Sequence, residues 1–218
     1  MMPLQRIITL SMIFTLLVSC SMFEKPITER DPKDLPDVMA FQDEFTRGFM
    51  TSTEEVEDGY YLFESKTGGY TMWYPEDARM DDMYYQRNKE YSEHIKFGGS
   101  HDKITHNTYY VHVTYNKSKN VKKHELYLDL LSSMSGYEGQ YEKSISDDIT
   151  IYFAQRKNVD VKTSFHTFFG FVAKDDSNQG LRYEYTIICE EDGNNGCTDN
   201  LEEVEAHVRK LMKSIVFK

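Results

Sequence analysis

Alternation of hydrophobic and polar residues predicts several β-strands along the chain. The clearest run covers residues 109–115, in which every second residue is apolar or aromatic, as expected for a strand with one buried face. Two aromatic runs at residues 60–66 and 70–75 are separated by Thr67-Gly68-Gly69 and predict a β-hairpin. Three later runs also predict strands, with a turn at residues 175–178 between the last two: residues 149–155, 165–173 and 182–189.

Hydrophobic residues spaced three or four positions apart predict helices in three places. The first helix carries Val38, Phe41, Phe45 and Phe49 on one face, and the second covers residues 126–134 and ends at Gly136. The third helix follows Asp199, which forms a predicted capping box with Glu202. Its apolar face comprises Leu201, Val204, Val208, Leu211, Met212 and Ile215, and residues 215–217 predict a last strand.

The stretch between residues 76 and 108 is more polar and gives a weaker pattern. Its larger side chains fit one face of a short helix: Met80, Met83, Tyr84, Arg87 and Tyr91. Gly98-Gly99 is interpreted as a break after this helix. The elements together predict one α+β domain over residues 51–218, with about six mainly antiparallel strands packed by two or three helices. A closed β-barrel with peripheral helices is the alternative architecture.

The first twenty residues have the composition of a secretory leader. A basic residue, Arg6, precedes an apolar run that is too short to span a bilayer. The run ends in Leu17-Val18-Ser19-Cys20, which resembles the lipobox of bacterial lipoproteins. The resemblance implies removal of residues 1–19 and attachment of palmitate-type acyl chains through a diacylglycerol on Cys20. The alternative is an ordinary signal peptide with an incidental cysteine at its end.

The leader predicts a lipid-anchored protein on the extracytoplasmic face of the cell membrane, and we expect a Gram-positive source. Residues 21–40 are rich in charge and hold three of the five prolines, so residues 20–50 predict a tether followed by a short amphipathic helix. The net charge is −11. This charge disfavours nucleic acid as a partner and predicts that the body stands away from an anionic bilayer.

Two segments of the body resemble PsbP/Mog1-like domains. One is the GYTMWYP sequence of residues 69–75, and the other is the closing helix and strand of residues 204–217. The resemblance implies an antiparallel sheet with helices packed on it. It also implies an accessory or binding role, and it supplies no catalytic residues to transfer.

Cysteines, acidic residues and histidines supply the remaining candidate chemistry. Cys189 and Cys197 form an extracytoplasmic pair separated by a flexible loop, which predicts a structural disulfide, with free thiols or redox chemistry as alternatives. The acidic residues 190–199 and the histidines His94, His101 and His106 are weaker candidates for a cation site. Their spacing matches no known metal motif, so the prediction is no bound metal and no cofactor.

Tyr84, Tyr85 and Tyr91 lie in a polar stretch, and exposed tyrosine is typical of binding surfaces. They form a candidate binding surface, although coverage of a sheet edge is the favoured interpretation. No sequence motif of a nucleophile or a phosphate loop is present, and Asp/Glu pairs are too common to identify a catalytic pair. The sequence therefore predicts a non-enzymatic accessory or binding module with an envelope protein or cell-wall partner. The alternatives are an envelope hydrolase with an unrecognised carboxylate site and a metal-binding lipoprotein.

Overall fold

The computed structural model describes residues 25–100, 108–160, 163–190 and 200–218. This part of the chain forms an α+β fold whose strands all pair antiparallel, as the sequence predicts. The strands are β1 Met50–Glu57, β2 Tyr60–Glu64, β3 Tyr70–Pro75, β4 Arg79–Met80, β5 Gln86–Asn88, β6 Ser92–Ser100, β7 Thr108–Lys117, β8 Glu142–Ser146, β9 Ile149–Asp160, β10 Thr163–Lys174, β11 Gln179–Glu190 and β12 Val216–Phe217. The helices are α1 Met39–Gln42, α2 Glu44–Arg47, α3 His124–Ser135 and α4 Leu201–Lys213.

The strands form two sheets that pack against each other. The smaller sheet has the order β1-β2-β3-β12, and the larger has the order β4-β6-β7-β11-β10-β9-β8, with β5 also paired to β6. Between the sheets, the rings of Tyr70 on β3 and Tyr115 on β7 lie 5.3 Å apart. Val204 and Val208 of α4 are fully buried in the same core.

The opposite face of the larger sheet is partly covered by α3. Phe169 and Phe171 on β10 are fully buried there, and Tyr127 of α3 stacks on Phe171 with ring centroids 4.7 Å apart. Because both faces of β10 are buried, its sequence is a nearly continuous apolar run and does not alternate between apolar and polar residues. The β6, β7 and β11 part of this face carries side chains that remain wholly or partly exposed.

The strongest sequence patterns are confirmed. The β2–β3 hairpin pairs Tyr61 with Tyr74 and Phe63 with Met72. The alternating apolar residues of β7 are all at most 1% exposed. Gly136 ends α3 in the left-handed conformation, where glycine has no steric penalty.

The N-terminal residues belong to the body over a longer range than predicted. Asp43 divides the expected single helix, because it ends α1 and its carboxylate accepts from the backbone N–H of Thr46 at 2.9 Å to cap α2. Leu35, Ala40 and Phe41 are buried in the core between the sheets. The folded body therefore begins near residue 35, inside the segment interpreted as tether.

The expected short helix between residues 76 and 108 is wrong. This stretch contains β4, a 3₁₀ turn at Asp82–Tyr84, β5 and the long strand β6. Glu93 occupies an inward position of β6 beside Ile95 and Phe97, so the apolar alternation was hidden. The unpredicted strands β1 and β8 bury few side chains, which is why they lack a hydrophobic pattern. Asn200 occupies the N-cap of α4, and Asp199 lies outside the described residues.

Candidate binding surface

The structure divides the three tyrosines of the predicted surface. Tyr84 and Tyr91 are 58% and 50% exposed. Tyr85 instead packs against Phe45 and Phe49, with ring centroids 5.5 Å away in both cases. Tyr85 therefore belongs to the edge of the core.

Tyr85 is one of four donors around a buried carboxylate that the sequence did not single out. Glu93 is fully buried. Its oxygens accept from Ser65 Oγ at 2.6 Å, the Lys66 backbone N–H at 2.9 Å, Tyr85 Oη at 3.2 Å and Tyr70 Oη at 3.3 Å. Burial, and then the Glu93 carboxylate, raise the pKa of Tyr85 to about 12. The cluster ties the β2–β3 turn to β6, so we assign it a structural role.

The exposed part of the larger sheet brings together residues that are distant in sequence. We call this surface the open face and define it by Tyr84, His94, Lys96, Tyr110, His112, Arg182 and Glu184. Register places Lys96, His112 and Glu184 in one row across β6, β7 and β11. In the adjacent row Thr114 lies between His94 and Arg182.

Two shallow hollows lie along the open face. One of about 380 Å³ is lined by charged side chains of both signs and by Tyr110: Arg79, Lys96, Asp81 and Asp82. The other, of about 190 Å³, is lined by Tyr84, His94 and His112. Lys96 lines both hollows, and its ammonium group lies 4.5 Å from the ring centroid of Tyr84 and 5.4 Å from that of Tyr110. Cation–π attraction of this kind fixes the ammonium group between two rings.

The two histidines of the open face have lowered pKa values, which favour the neutral form. Partial burial and the Arg182 guanidinium lower the pKa of His94. Burial also lowers the pKa of His112; Glu184 opposes this shift and Lys96 adds to it. Because bound negative charge favours the protonated imidazole, an anionic ligand would oppose the lowering of both pKa values.

A second polar cluster lies partly buried between the sheets and α4. Tyr60 Oη is 2.7 Å from His207 Nδ1, and Tyr109 Oη donates to Asp77 Oδ1 at 3.0 Å. Burial, and then the charge of Asp77, raise the pKa of Tyr60 to about 12. The Tyr60–His207 contact joins β2 to α4 and positions the helix on the core.

The other predicted site residues fall largely outside the described part of the chain. Cys20, Cys197, His101, His106 and the loop of residues 191–199 all lie there. Cys189 is buried on β11, and its pairing with Cys197 stays a prediction. Among the described residues, no group of three or more His, Cys, Asp or Glu side chains is arranged to hold a metal ion.

Comparison with known proteins identifies a relative whose sequence matches most of this chain. The chain is 38% identical over 196 residues to "Putative lipoprotein YvcA" of Bacillus subtilis strain 168, covering 87% of this chain and 80% of the relative. A crystal structure of a Bacteroides thetaiotaomicron protein matches 72% of this chain and 48% of its own length, with 10% identity and a TM-score of 0.41. Residues 36–216 match the family model described as "Putative lipoprotein YvcA". The chain belongs to this lipoprotein family.

Proposed function

We propose that the protein is a lipid-anchored, extracytoplasmic binding module that acts without catalysis at the cell envelope. The lipobox at residues 17–20 supports attachment through Cys20, in keeping with the family name. In the described residues no helix is long and apolar enough to cross a membrane. We assign the anchor to Cys20 on the lipobox alone, and two acyl chains on that residue bind a bilayer stably.

The observation that carries the binding role is the open face itself. It gathers two aromatic rings, an ammonium group held between them and a half-buried guanidinium. Burial lowers the pKa of Arg182, which marks a cation that gains from an anionic partner. Aromatic side chains and Arg are enriched at protein-binding surfaces. The partner we propose carries carboxylate or phosphate groups and is an envelope protein or a cell-wall polymer.

Site-specific photo-crosslinking in intact cells tests the proposal. A benzophenone amino acid at Tyr84 should give a defined crosslinked product that Lys96→Glu abolishes, since the reversed charge repels an acidic partner. The same probe at Val56, which is 40% exposed on β1, is the matched control. Equal products from both positions, or a Tyr84 product indifferent to Lys96→Glu, would reject the open face as the binding site.

A further pair of variants separates binding from folding. Tyr84→Ala should leave thermal stability unchanged and weaken crosslinking from a probe at Gln86 of the adjacent strand. Tyr85→Ala should instead lower stability, because it removes a donor to Glu93 and ring contacts with Phe45 and Phe49. Tyr85 is for this reason unsuitable as a test of binding.

A further inference from the structure

We infer that one end of the body rests on an anionic phospholipid bilayer; this rests on the proposed lipid anchor at Cys20. We call this surface the basic end. Its cationic residues are all exposed: Lys66, Arg87, Lys89, Lys117, Lys119, Lys122 and Lys123. They come from a chain whose net charge is −11, so their concentration at one end is a strong local departure from the whole.

Hydrogen bonds show that the three turns carrying these cations are neighbours. Arg87 Nη1 donates to the carbonyl oxygen of Lys66 at 2.6 Å, which joins the β2–β3 turn to β5. The backbone N–H of Lys117 donates to the carbonyl oxygen of Tyr91 at 2.7 Å, which joins the β7–α3 turn to the β5–β6 turn. The cations therefore form one surface.

Acidic groups flank the cationic surface on two sides. Glu90 is the carboxylate within the same three turns. Four more belong to neighbouring turns: Asp147, Asp148, Asp175 and Asp176. Beside Lys66, a hollow is lined by three others: Asp43, Glu44 and Asp82. The cationic surface therefore occupies the β5–β7 side of the end. Charges are screened beyond about 8 Å at physiological salt, so a bilayer interacts with this local surface and not with the net charge of the chain.

An apolar stripe on α3 adjoins the basic turn. Leu126, Leu130 and Met134 recur every four residues and are 50%, 44% and 67% exposed. Each acidic residue of the helix, Glu125 and Asp129, precedes a stripe leucine by one position and so points about 100° away from it. Exposed apolar residues directly beside lysines are the composition of a membrane-interface helix.

The length of chain before the body restricts which end can face the membrane. Lys25 is five residues after Cys20, so its Cα lies within about 18 Å of the lipidated residue even in a fully extended chain. Ile27 packs against the core, and Thr28 lies against Gly48, whose carbonyl oxygen accepts from the Lys66 ammonium group. The chain thus enters the body at the basic end, and the stand-off expected from net charge does not apply to this surface.

Fluorescence quenching on vesicles tests the inference with the lipidated protein. An environment-sensitive dye is placed at Met134→Cys on the α3 stripe or at Val159→Cys, which is 63% exposed near the opposite end of β9. The protein is reconstituted on vesicles of phosphatidylcholine alone or of an equal mixture with phosphatidylglycerol, each with a brominated lipid as quencher. The parent protein gives the background labelling.

We expect severalfold stronger quenching at position 134 than at position 159, on the anionic vesicles only. Each lysine near an anionic surface adds about fivefold to partitioning, so replacing Lys117, Lys119, Lys122 and Lys123 by Gln should abolish the difference. Equal quenching at the two positions, or quenching indifferent to the lysine replacements, would overturn the inference. Flotation with neutral vesicles reports the anchor separately: protein that fails to float contradicts the proposed function, whatever the quenching shows.

Discussion

At the scale of single residues, tyrosine has two different uses in this protein. Six tyrosines are fully buried: Tyr70, Tyr74, Tyr109, Tyr115, Tyr183 and Tyr185. A buried tyrosine fills volume with its ring and needs a partner for its hydroxyl, as Tyr70 finds in Glu93 and Tyr115 in Gln179. Because the same residue type also forms the exposed part of the open face, tyrosine content alone did not distinguish core from surface.

The pKa of Tyr60 predicts a loss of stability at alkaline pH. Its value is about 12 in the folded protein, against about 10 in the unfolded chain. Between these values the unfolded state releases the proton first. The contribution of Tyr60 to the free energy of unfolding is therefore complete below pH 10 and is lost as pH rises towards 12. Because Tyr60 is partly exposed, solvent screening reduces the loss to about 1–2 kcal/mol.

Urea unfolding between pH 9 and pH 11.5 measures this loss. Tyr60→Phe should be less stable than the parent at pH 9, because it loses the contact with His207, but its stability should fall less steeply with pH. The other buried tyrosines titrate in both proteins, so the difference in slope isolates Tyr60. Parallel slopes would show that Tyr60 does not contribute.

At the scale of elements, the paired glycines of β6 predict a steric constraint. A Cβ at Gly98 would lie 2.5 Å from the carbonyl oxygen of Tyr109, and one at Gly99 would lie 2.8 Å from that of Asp77. Gly98→Ala should therefore lower the free energy of unfolding by about 2 kcal/mol or more. Thr108→Ala, at the exposed start of neighbouring β7, should change it by less than about 0.5 kcal/mol. Similar values for the two variants in chemical denaturation would refute the constraint.

Strands could be predicted from the sequence where apolar and polar residues alternate regularly along them. The β2–β3 hairpin and β7 follow their patterns, while β6 was hidden by the inward carboxylate of Glu93 and by two glycines that resemble a turn. The open face could not be predicted from the sequence for a different reason. Lys96, His112 and Glu184 become neighbours only through the register of three strands. The periodicity within one strand does not specify which residue of another strand lies opposite each position.

At the scale of the whole molecule, the fold forms two distinct surfaces, the basic end and the open face, that the amino-acid composition does not reveal. Net charge predicts an acidic body, yet the strand topology collects basic turns at one end and mixed cationic and aromatic groups on the open face. The apolar stripe of α3, which adjoins the basic end, also contacts the open face, because the Met134 sulfur accepts from Arg182 Nη1 at 2.9 Å. A body held by its basic end would present the rest of the open face beside the bilayer, where an envelope partner can reach it.

The extent of the body gives a prediction about truncation. A chain beginning at residue 51, the boundary expected from the sequence, lacks Leu35, Ala40, Phe41, Phe49 and Met50, all of which are buried in the core between the sheets. Burying each large apolar side chain contributes about 1.5–3 kcal/mol, so their combined loss is comparable with the 5–15 kcal/mol that stabilises a typical domain.

We therefore expect residues 25–218 to unfold cooperatively on heating and residues 51–218 to show no cooperative transition by circular dichroism. Phe41→Ala in the longer chain separates lost packing from altered chain length, since it removes one buried ring and should lower stability by about 3–5 kcal/mol. Asp37→Ala, an exposed position in the same segment, is the matched control and should unfold like the parent. If residues 51–218 melted within a few degrees of the longer chain, the N-terminal segment would be an appendage after all, and the short distance between the lipid and the basic end would lose its support.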